Sequence, residues 1–322
     1  MAGFALAESV AGRALGDAVA AALAWAALPL LSLFEPEVIR NGTELRGTGW
    51  AVRVGVVCDG HGLAISLAAG LAALRGGWRR LLAGLAAIQL FNLLRIIVLA
   101  VVLARAPGAF HIVHVGLFPL LTVALLAFCM LPAGRATRLL LVALPLVALW
   151  LPLADTLSLP LAWAANPILS ALPAPEIGQI AQRAVGWSIG TYLLASAENG
   201  QVALHVAPLR PADFALGAPV ILAAVVLARR PLWLAPAFAS MLLALVAAAF
   251  TAVWTLADGH APAVLLIRDG GGAFVPSDFA PPAGLQLPVR LIQNVLVHFN
   301  LLVLPMLVAA LAPRPGRAWG QA

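Results

Sequence analysis

Eight apolar stretches, each about 20 residues long, make up most of the 322-residue chain. A stretch of that length and polarity crosses a bilayer as one helix. The chain is 63% hydrophobic and only 10% charged, whereas about a quarter of the residues in a soluble domain are charged. The sequence therefore predicts an all-α polytopic membrane bundle of about eight transmembrane helices. The predicted spans are residues 14–34, 60–77, 80–104, 114–133, 138–157, 214–229, 231–256 and 291–312.

Arginine in the short turns between these helices sets their orientation. The arginines follow predicted helices two, four, six and eight, and cytoplasmic loops are the ones enriched in basic residues. We therefore expect a multi-pass protein of a bacterial cell inner membrane with both termini in the cytoplasm. The arginines in question are Arg75, Arg79, Arg80, Arg135, Arg138, Arg229, Arg230, Arg314 and Arg317.

The net charge of +6 does not indicate nucleic acid, because no basic run is longer than Arg229-Arg230. We expect membrane lipid around the chain and no nucleic-acid partner. Nothing in the residue pattern indicates a cofactor or a metal site, so we expect neither.

The long connections fall on the outer side, at residues 35–59, 105–113, 158–213 and 257–290. Asn41-Gly42 and Asn199-Gly200 are favoured two-residue hairpin turns, and the stretch from Thr191 to Ala207 alternates as two strands would. We expect a small outer cap that is partly β. By this division residues 1–157 hold helices one to five, residues 158–213 form the cap, and residues 214–322 hold helices six to eight with the outer loop 257–290.

Polar residues within the predicted helices concentrate between residues 54 and 116. Cys58 lies 18 residues before the turn Gly76-Gly77, and Arg95 lies 18 residues after it. At a rise of about 1.5 Å per residue, both lie about 27 Å from that turn. We therefore expect Cys58 and Arg95 at one level in the outer part of the bilayer. His111 and His114 open the next helix near that level.

Cysteine, arginine and histidine together suit acyl transfer. A thiolate attacks a carbonyl carbon, and a histidine takes the thiol proton and later protonates the leaving amine. A fixed cation stabilises the oxyanion and favours the thiolate. Asn92 lies three residues before Arg95 on the same helix face, where it can orient the guanidinium.

Simpler interpretations exist for each of these residues. Cys58 could be a small apolar filler, as we expect Cys129 to be, and either histidine could be an interfacial residue. Arg95 could form a buried ion pair, although only Asp17 and Asp155 offer a carboxylate within the predicted helices. We interpret His298, in the last helix, as a helix-packing contact.

Three motifs in this order resemble the exosortase/archaeosortase family. They are residues 58–60 (Cys-Asp-Gly) at a helix start, residues 92–96 (Asn-Leu-Leu-Arg-Ile) in the next helix, and residues 110–114 (Phe-His-Ile-Val-His) opening the helix after it. The resemblance covers about residues 40–125, and the flanking helices match only in being hydrophobic.

The resemblance implies a membrane-embedded, sortase-like cysteine transpeptidase. Its substrates are exported proteins that end in a short motif, a transmembrane helix and a basic tail. The enzyme cuts near the motif and passes the acyl group to a cell-envelope or exopolysaccharide-linked acceptor. By position Cys58 is the nucleophile, Arg95 stabilises the oxyanion, and His114 is the histidine, with His111 as the alternative.

Two other classes of protein compete with this interpretation. One is a polytopic transporter, in which Arg95 binds an anion, although the two related halves typical of transporters are not visible in the sequence. The other is a cell-envelope glycosyltransferase or acyltransferase, which would be expected to carry acidic or histidine-rich outer loops.

The arginine pattern yields a prediction about topology. Reporter fusions at Gly134 and Ala207 should give a cytoplasmic and an external signal, respectively, because the arginine-bearing turns alternate with the long connections. Paired alkaline phosphatase and green fluorescent protein fusions measure this. Cytoplasmic signals from both positions would exclude the eight-helix topology.

Overall fold

The computed structural model describes residues 10–54, 61–110, 112–172, 174, 176–183, 186–196, 202–258, 264–268, 274–278 and 282–311. The chain divides into two compact units that interleave along the sequence. The first comprises Met1–Pro145, Val220–Pro231 and Leu301–Ala322, and the second comprises Leu146–Pro219 and Leu232–Asn300.

Helices dominate the described chain. They are α1 (Val10–Leu31), α2 (His61–Ala73), α3 (Trp78–Arg105), α4 (Phe118–Met130), α5 (Ala133–Leu157), α6 (Leu159–Ala171), α7 (Pro211–Phe214), α8 (Ala218–Ala228), α9 (Leu234–Asp258), α10 (Ala283–His298) and α11 (Leu304–Ala310). Short 3-10 turns lie at Pro107–Ala109 and Pro231–Trp233, and π-helical turns at Ile112–Leu117 and Phe299–Val303.

Seven helical stretches among the described residues are long and apolar enough to cross a membrane. The chain is therefore a multi-pass membrane protein, and the predicted helical fold class is confirmed. These stretches are Ala14–Leu31, Trp78–Arg105, Pro107–Met130, Ala133–Ala171, Pro211–Ala228, Pro231–Thr255 and Gly284–Ala310. The remaining predicted span, 60–77, corresponds to the shorter helix α2, which is 13 residues long.

Helix extends beyond two of the predicted boundaries. The segment 158–213 begins with α6, which follows α5 after a single residue, Ser158. The last span begins at Gly284, inside the predicted loop 257–290. Both helices contain a proline. Pro160 lies in the first turn of α6, and Pro288 lies inside α10.

A three-stranded antiparallel sheet precedes α2 in the first unit. Its strands are β1 (Ile39–Asn41), β2 (Glu44–Gly47) and β3 (Trp50–Arg53), in the order β1-β2-β3. The first turn is Gly42-Thr43, one residue later than predicted, because Asn41 pairs with Glu44. Gly42 occupies the first loop position with φ +60°, and glycine meets the positive φ that this position of a type II′ turn requires.

Salt bridges on this sheet lie outside the membrane-spanning segments. Arg46 Nε lies 2.7 Å from Glu44 Oε1. The hydrogen bond from Arg46 lowers the pKa of the Glu44 carboxyl, and Arg53 adds a weaker effect in the same direction.

Helices α2 and α3 form an antiparallel pair around the Gly76-Gly77 turn, as the sequence predicts. They approach closely at Gly84 in α3, where an added Cβ would lie 2.5 Å from Leu67 Cδ2. At Gly70 in α2 an added Cβ would lie 2.0 Å from Met130 Cε in α4. Glycine at these two positions lets α2 contact both neighbouring helices.

The second unit carries a larger antiparallel sheet. Its strands are β4 (Ile177–Arg183), β5 (Gly186–Ser196), β6 (Val202–Pro208), β7 (Val264–Arg268) and β8 (Phe274–Asp278). β5 pairs with β4, β6 and β7, and β8 pairs with β7. The two strands expected between Thr191 and Ala207 are confirmed. The Asn199-Gly200 turn between them lies outside the described residues.

Two polar contacts fasten this sheet to helices of the second unit. The Asn166 side chain in α6 donates to the Ile180 carbonyl at 3.0 Å and accepts from the Ile180 N–H at 2.8 Å. The Trp254 indole N–H in α9 donates to the buried carboxylate of Glu176 at 3.2 Å.

Candidate active site

Helix α3 supplies the two central polar residues of the candidate site. It runs from Trp78 to Arg105 without proline and ends before Pro107, because the residue before proline disfavours the helical conformation. Its C-terminal end is held by Arg105, which donates to the Phe34 carbonyl at 2.7 Å and pairs with Glu35 at 3.3 Å. Asn92 and Arg95 lie one turn apart on α3, well inside these ends.

A π-helical turn positions the histidine. The turn at Ile112–Leu117 contains His114 and joins α4 at Phe118. Pro119 has no N–H to donate to the carbonyl four residues earlier, so the regular hydrogen-bond ladder is interrupted here. Single π-helical turns occur frequently at functional sites.

The structure brings Arg95 and His114 together. Arg95 Nη2 lies 3.5 Å from His114 Nδ1. A guanidinium can only donate hydrogen bonds, so Nδ1 is the acceptor in this contact. The imidazole is then neutral, with its ring proton on Nε2.

Aromatic rings enclose this pair. The Phe110 ring stacks on the His114 ring with centroids 5.4 Å apart and an interplanar angle of 21°. The Arg95 guanidinium carbon lies 5.8 Å from the centroid of the buried Phe118 ring, at a distance where a cation is attracted to the ring face. Phe91 packs edge-on against Phe118.

The aromatic walls were absent from the sequence prediction, although a signal for them exists. Phe110, His114 and Phe118 recur at intervals of four residues. That spacing places side chains on one face of a helix, so a stripe containing the histidine could have been recognised.

Two polar atoms at the site have no hydrogen-bond partner among the described residues. Arg95 Nε and Asn92 Nδ2 are both buried, and the Asn92 side chain is 1% exposed. An unsatisfied buried donor costs about 1–3 kcal/mol. Residues that oppose stability in this way occur where function requires them.

Within the described part of the chain, no carboxylate forms a salt bridge with Arg95. Asp155, one of the two carboxylates that the sequence offered, accepts from Arg210 Nε at 2.6 Å. Among the described residues no three His, Cys, Asp or Glu side chains lie together as the ligands of a metal ion would.

The structure describes two of the four remaining candidate residues. Cys58 and the alternative histidine His111 lie outside the described residues. Cys129 is a half-buried free thiol in α4. His298, in the second unit, contacts the backbone carbonyl of Asn294 in its own helix at 2.8 Å through Nδ1.

No family profile, no characterised protein and no solved structure matches this chain.

The unsatisfied amide yields a prediction about stability. Asn92→Leu should leave the apparent melting temperature in detergent unchanged or raise it, because an apolar side chain removes a buried donor that lacks a partner. Asn166→Leu is the matched control, since the Asn166 amide makes two hydrogen bonds. It should lose about 1–3 kcal/mol of stability. Equal losses in the two variants would show that Asn92 has a structural role.

Proposed function

We propose that the chain is an integral-membrane cysteine peptidase and transpeptidase. It cleaves the C-terminal sorting tail of exported proteins and transfers them to a cell-envelope or exopolysaccharide-linked acceptor. In this proposal the protein lies in a bacterial inner membrane with both termini cytoplasmic. The observation that carries the proposal is the Arg95–His114 contact inside an apolar helix bundle.

The packing of α2 against α3 supports a thiol at the level of Arg95. Leu67 in α2 packs at Gly84 in α3, and in an antiparallel pair each step back along α2 is a step forward along α3. His61, the first residue of α2 and six residues before Leu67, then falls level with position 90, six residues after Gly84. Position 90 lies within two turns of Arg95, and Cys58 comes three residues before His61 in the sequence.

The strand before Cys58 leads to the same level. Val54, the last described residue before it, is 1% exposed and belongs to one apolar cluster with Ile96 and Ala100 of α3. Cys58 comes four residues after Val54 in the sequence, and four residues span at most about 14 Å.

The chemistry starts with the thiol. The Cys58 proton passes to Nδ1 of His114 as sulfur bonds to the substrate carbonyl carbon, and the C=O π electrons move onto oxygen. Arg95 leaves Nδ1 and donates to that oxyanion. Arg95 therefore has two roles. Before the reaction it donates to the lone pair of His114 Nδ1, and once that lone pair has taken the thiol proton it stabilises the oxyanion.

Breakdown of this intermediate completes the transfer. The C–N bond breaks, the leaving amine takes the proton from His114, and a thioester remains on Cys58. An acceptor nucleophile then attacks the thioester carbon and releases the thiolate, which recovers a proton. Asn92 is a positioning residue, one turn from the guanidinium on the same helix face.

Replacement of the proposed nucleophile tests the function. Cys58→Ala should abolish cleavage of a reporter that carries a sorting motif, a transmembrane helix and a basic tail, with normal accumulation of the protein in the membrane. Cys129→Ala is the matched control and should cleave at the wild-type rate. Immunoblotting of the processed reporter, normalised to enzyme abundance, measures both. Normal processing by Cys58→Ala would rule out the cysteine mechanism.

The chemical role of Arg95 gives a second test. Arg95→Lys should lower the cleavage rate about a hundred- to thousandfold, corresponding to about 3 to 4 kcal/mol of transition-state stabilisation. Lysine keeps the charge but lacks the planar fork of donors. Arg105→Lys, at the exposed end of the same helix, serves as the control and should remain near wild type. Wild-type cleavage by Arg95→Lys would remove Arg95 from the oxyanion role.

A further inference from the structure

A cavity of about 550 Å³ lies within the second unit, built by described residues of that unit. Ligand sites commonly have volumes of about 300–1,000 Å³. The peptidase chemistry proposed above does not use any residue that lines it. Its walls come from the end of β6, the short helix α7, the last turns of α9 and one residue of α10.

The cavity lies at one end of membrane-spanning helices. Residues 248–255 line it from the last three turns of α9, whose span ends at Thr255. Residues 210–214 line it from the beginning of the span Pro211–Ala228. A cavity at the ends of two spans lies at the bilayer depth where the acyl chains of a lipid join its headgroup.

Its walls are mainly apolar. Small side chains of α9, Ala248 and Ala252, leave the space open, and Leu209 and Phe214 cover other parts of it. An apolar, elongated ligand would therefore lose its surrounding water on entering the cavity. It would bring no polar atom that needs a hydrogen-bond partner there.

Two arginines lie in or beside the cavity, and they differ in whether a carboxylate of the protein already neutralises their charge. Arg210 lies 2.6 Å from Asp155 and 4.0 Å from Asp213, so its charge is matched within the protein. Arg290 does not line the cavity; it is exposed and donates at 3.5 Å to the hydroxyl of Thr255, which does line it. No carboxylate pairs with Arg290 in the described part of the chain.

We propose that this cavity binds a phospholipid, with one acyl chain between α7 and α9 and the phosphate at Arg290. A guanidinium with no carboxylate partner suits a phosphodiester, which accepts two parallel hydrogen bonds from the guanidinium fork. The apolar walls then take the chain that is attached to the headgroup. This site is independent of the proposed peptidase activity.

Photolabelling in dodecyl maltoside, a detergent without phosphate, tests the site. The probes are phosphatidylglycerol and diacylglycerol, each with a diazirine at the end of one acyl chain, and adducts are mapped by tandem mass spectrometry. Phosphatidylglycerol should label residues 207–214 and 248–255 of the wild-type protein severalfold more than diacylglycerol does.

Two variants separate the chain site from the phosphate site. Ala252→Trp fills the cavity and should abolish this labelling. Ala239→Trp, at an exposed position of the same helix, is its control and should retain it. Arg290→Gln should reduce phosphatidylglycerol labelling to the diacylglycerol level. Labelling of Ala252→Trp equal to that of Ala239→Trp would overturn the proposal, as would equal labelling of the wild-type protein by both probes. Reporter cleavage is measured separately, so loss of one activity does not imply loss of the other.

Discussion

The charge of Arg95 within an apolar helix bundle is the constraint on which the rest of the first unit depends. Guanidinium keeps its charge in proteins, and a charged side chain inside a membrane is costly and marks function by default. Among the described residues, the groups that contact it are an imidazole nitrogen and an aromatic face. A carboxylate would have stabilised the cation, but it would also have neutralised the charge that a developing oxyanion needs.

The surrounding fold holds this arrangement by packing. Gly84 and Gly70 allow α2 to lie close against α3 and α4. The hairpin sheet contacts α3 from another element, because Val54 belongs to one apolar cluster with Ile96 and Ala100. These contacts hold α3, which carries Asn92 and Arg95, and orientation of reacting groups is a large part of catalysis.

Much of this organisation could be predicted from sequence, and the failures have physical causes. Length and polarity located the spans, and the Gly76-Gly77 turn between two apolar stretches predicted the antiparallel pair of α2 and α3. A residue count gives the position along a helix axis but not the direction of a side chain around that axis. The contact with His114 Nδ1 and the enclosing rings of Phe110 and Phe118 were therefore not predicted. The helix after Ser158 was missed because proline is compatible with the first turn of a helix.

Two contacts that the structure shows bear on the orientation of the histidine in the proposed site. A catalytic base is usually oriented by a hydrogen-bonded partner. At His114 the described geometry offers the stacked ring of Phe110, which fixes the plane of the imidazole without introducing another charge into the bilayer. Arg95 then fixes which nitrogen carries the lone pair, because it can only donate. A ring that orients the imidazole and a cation that selects its tautomer therefore act on the same side chain of the proposed site.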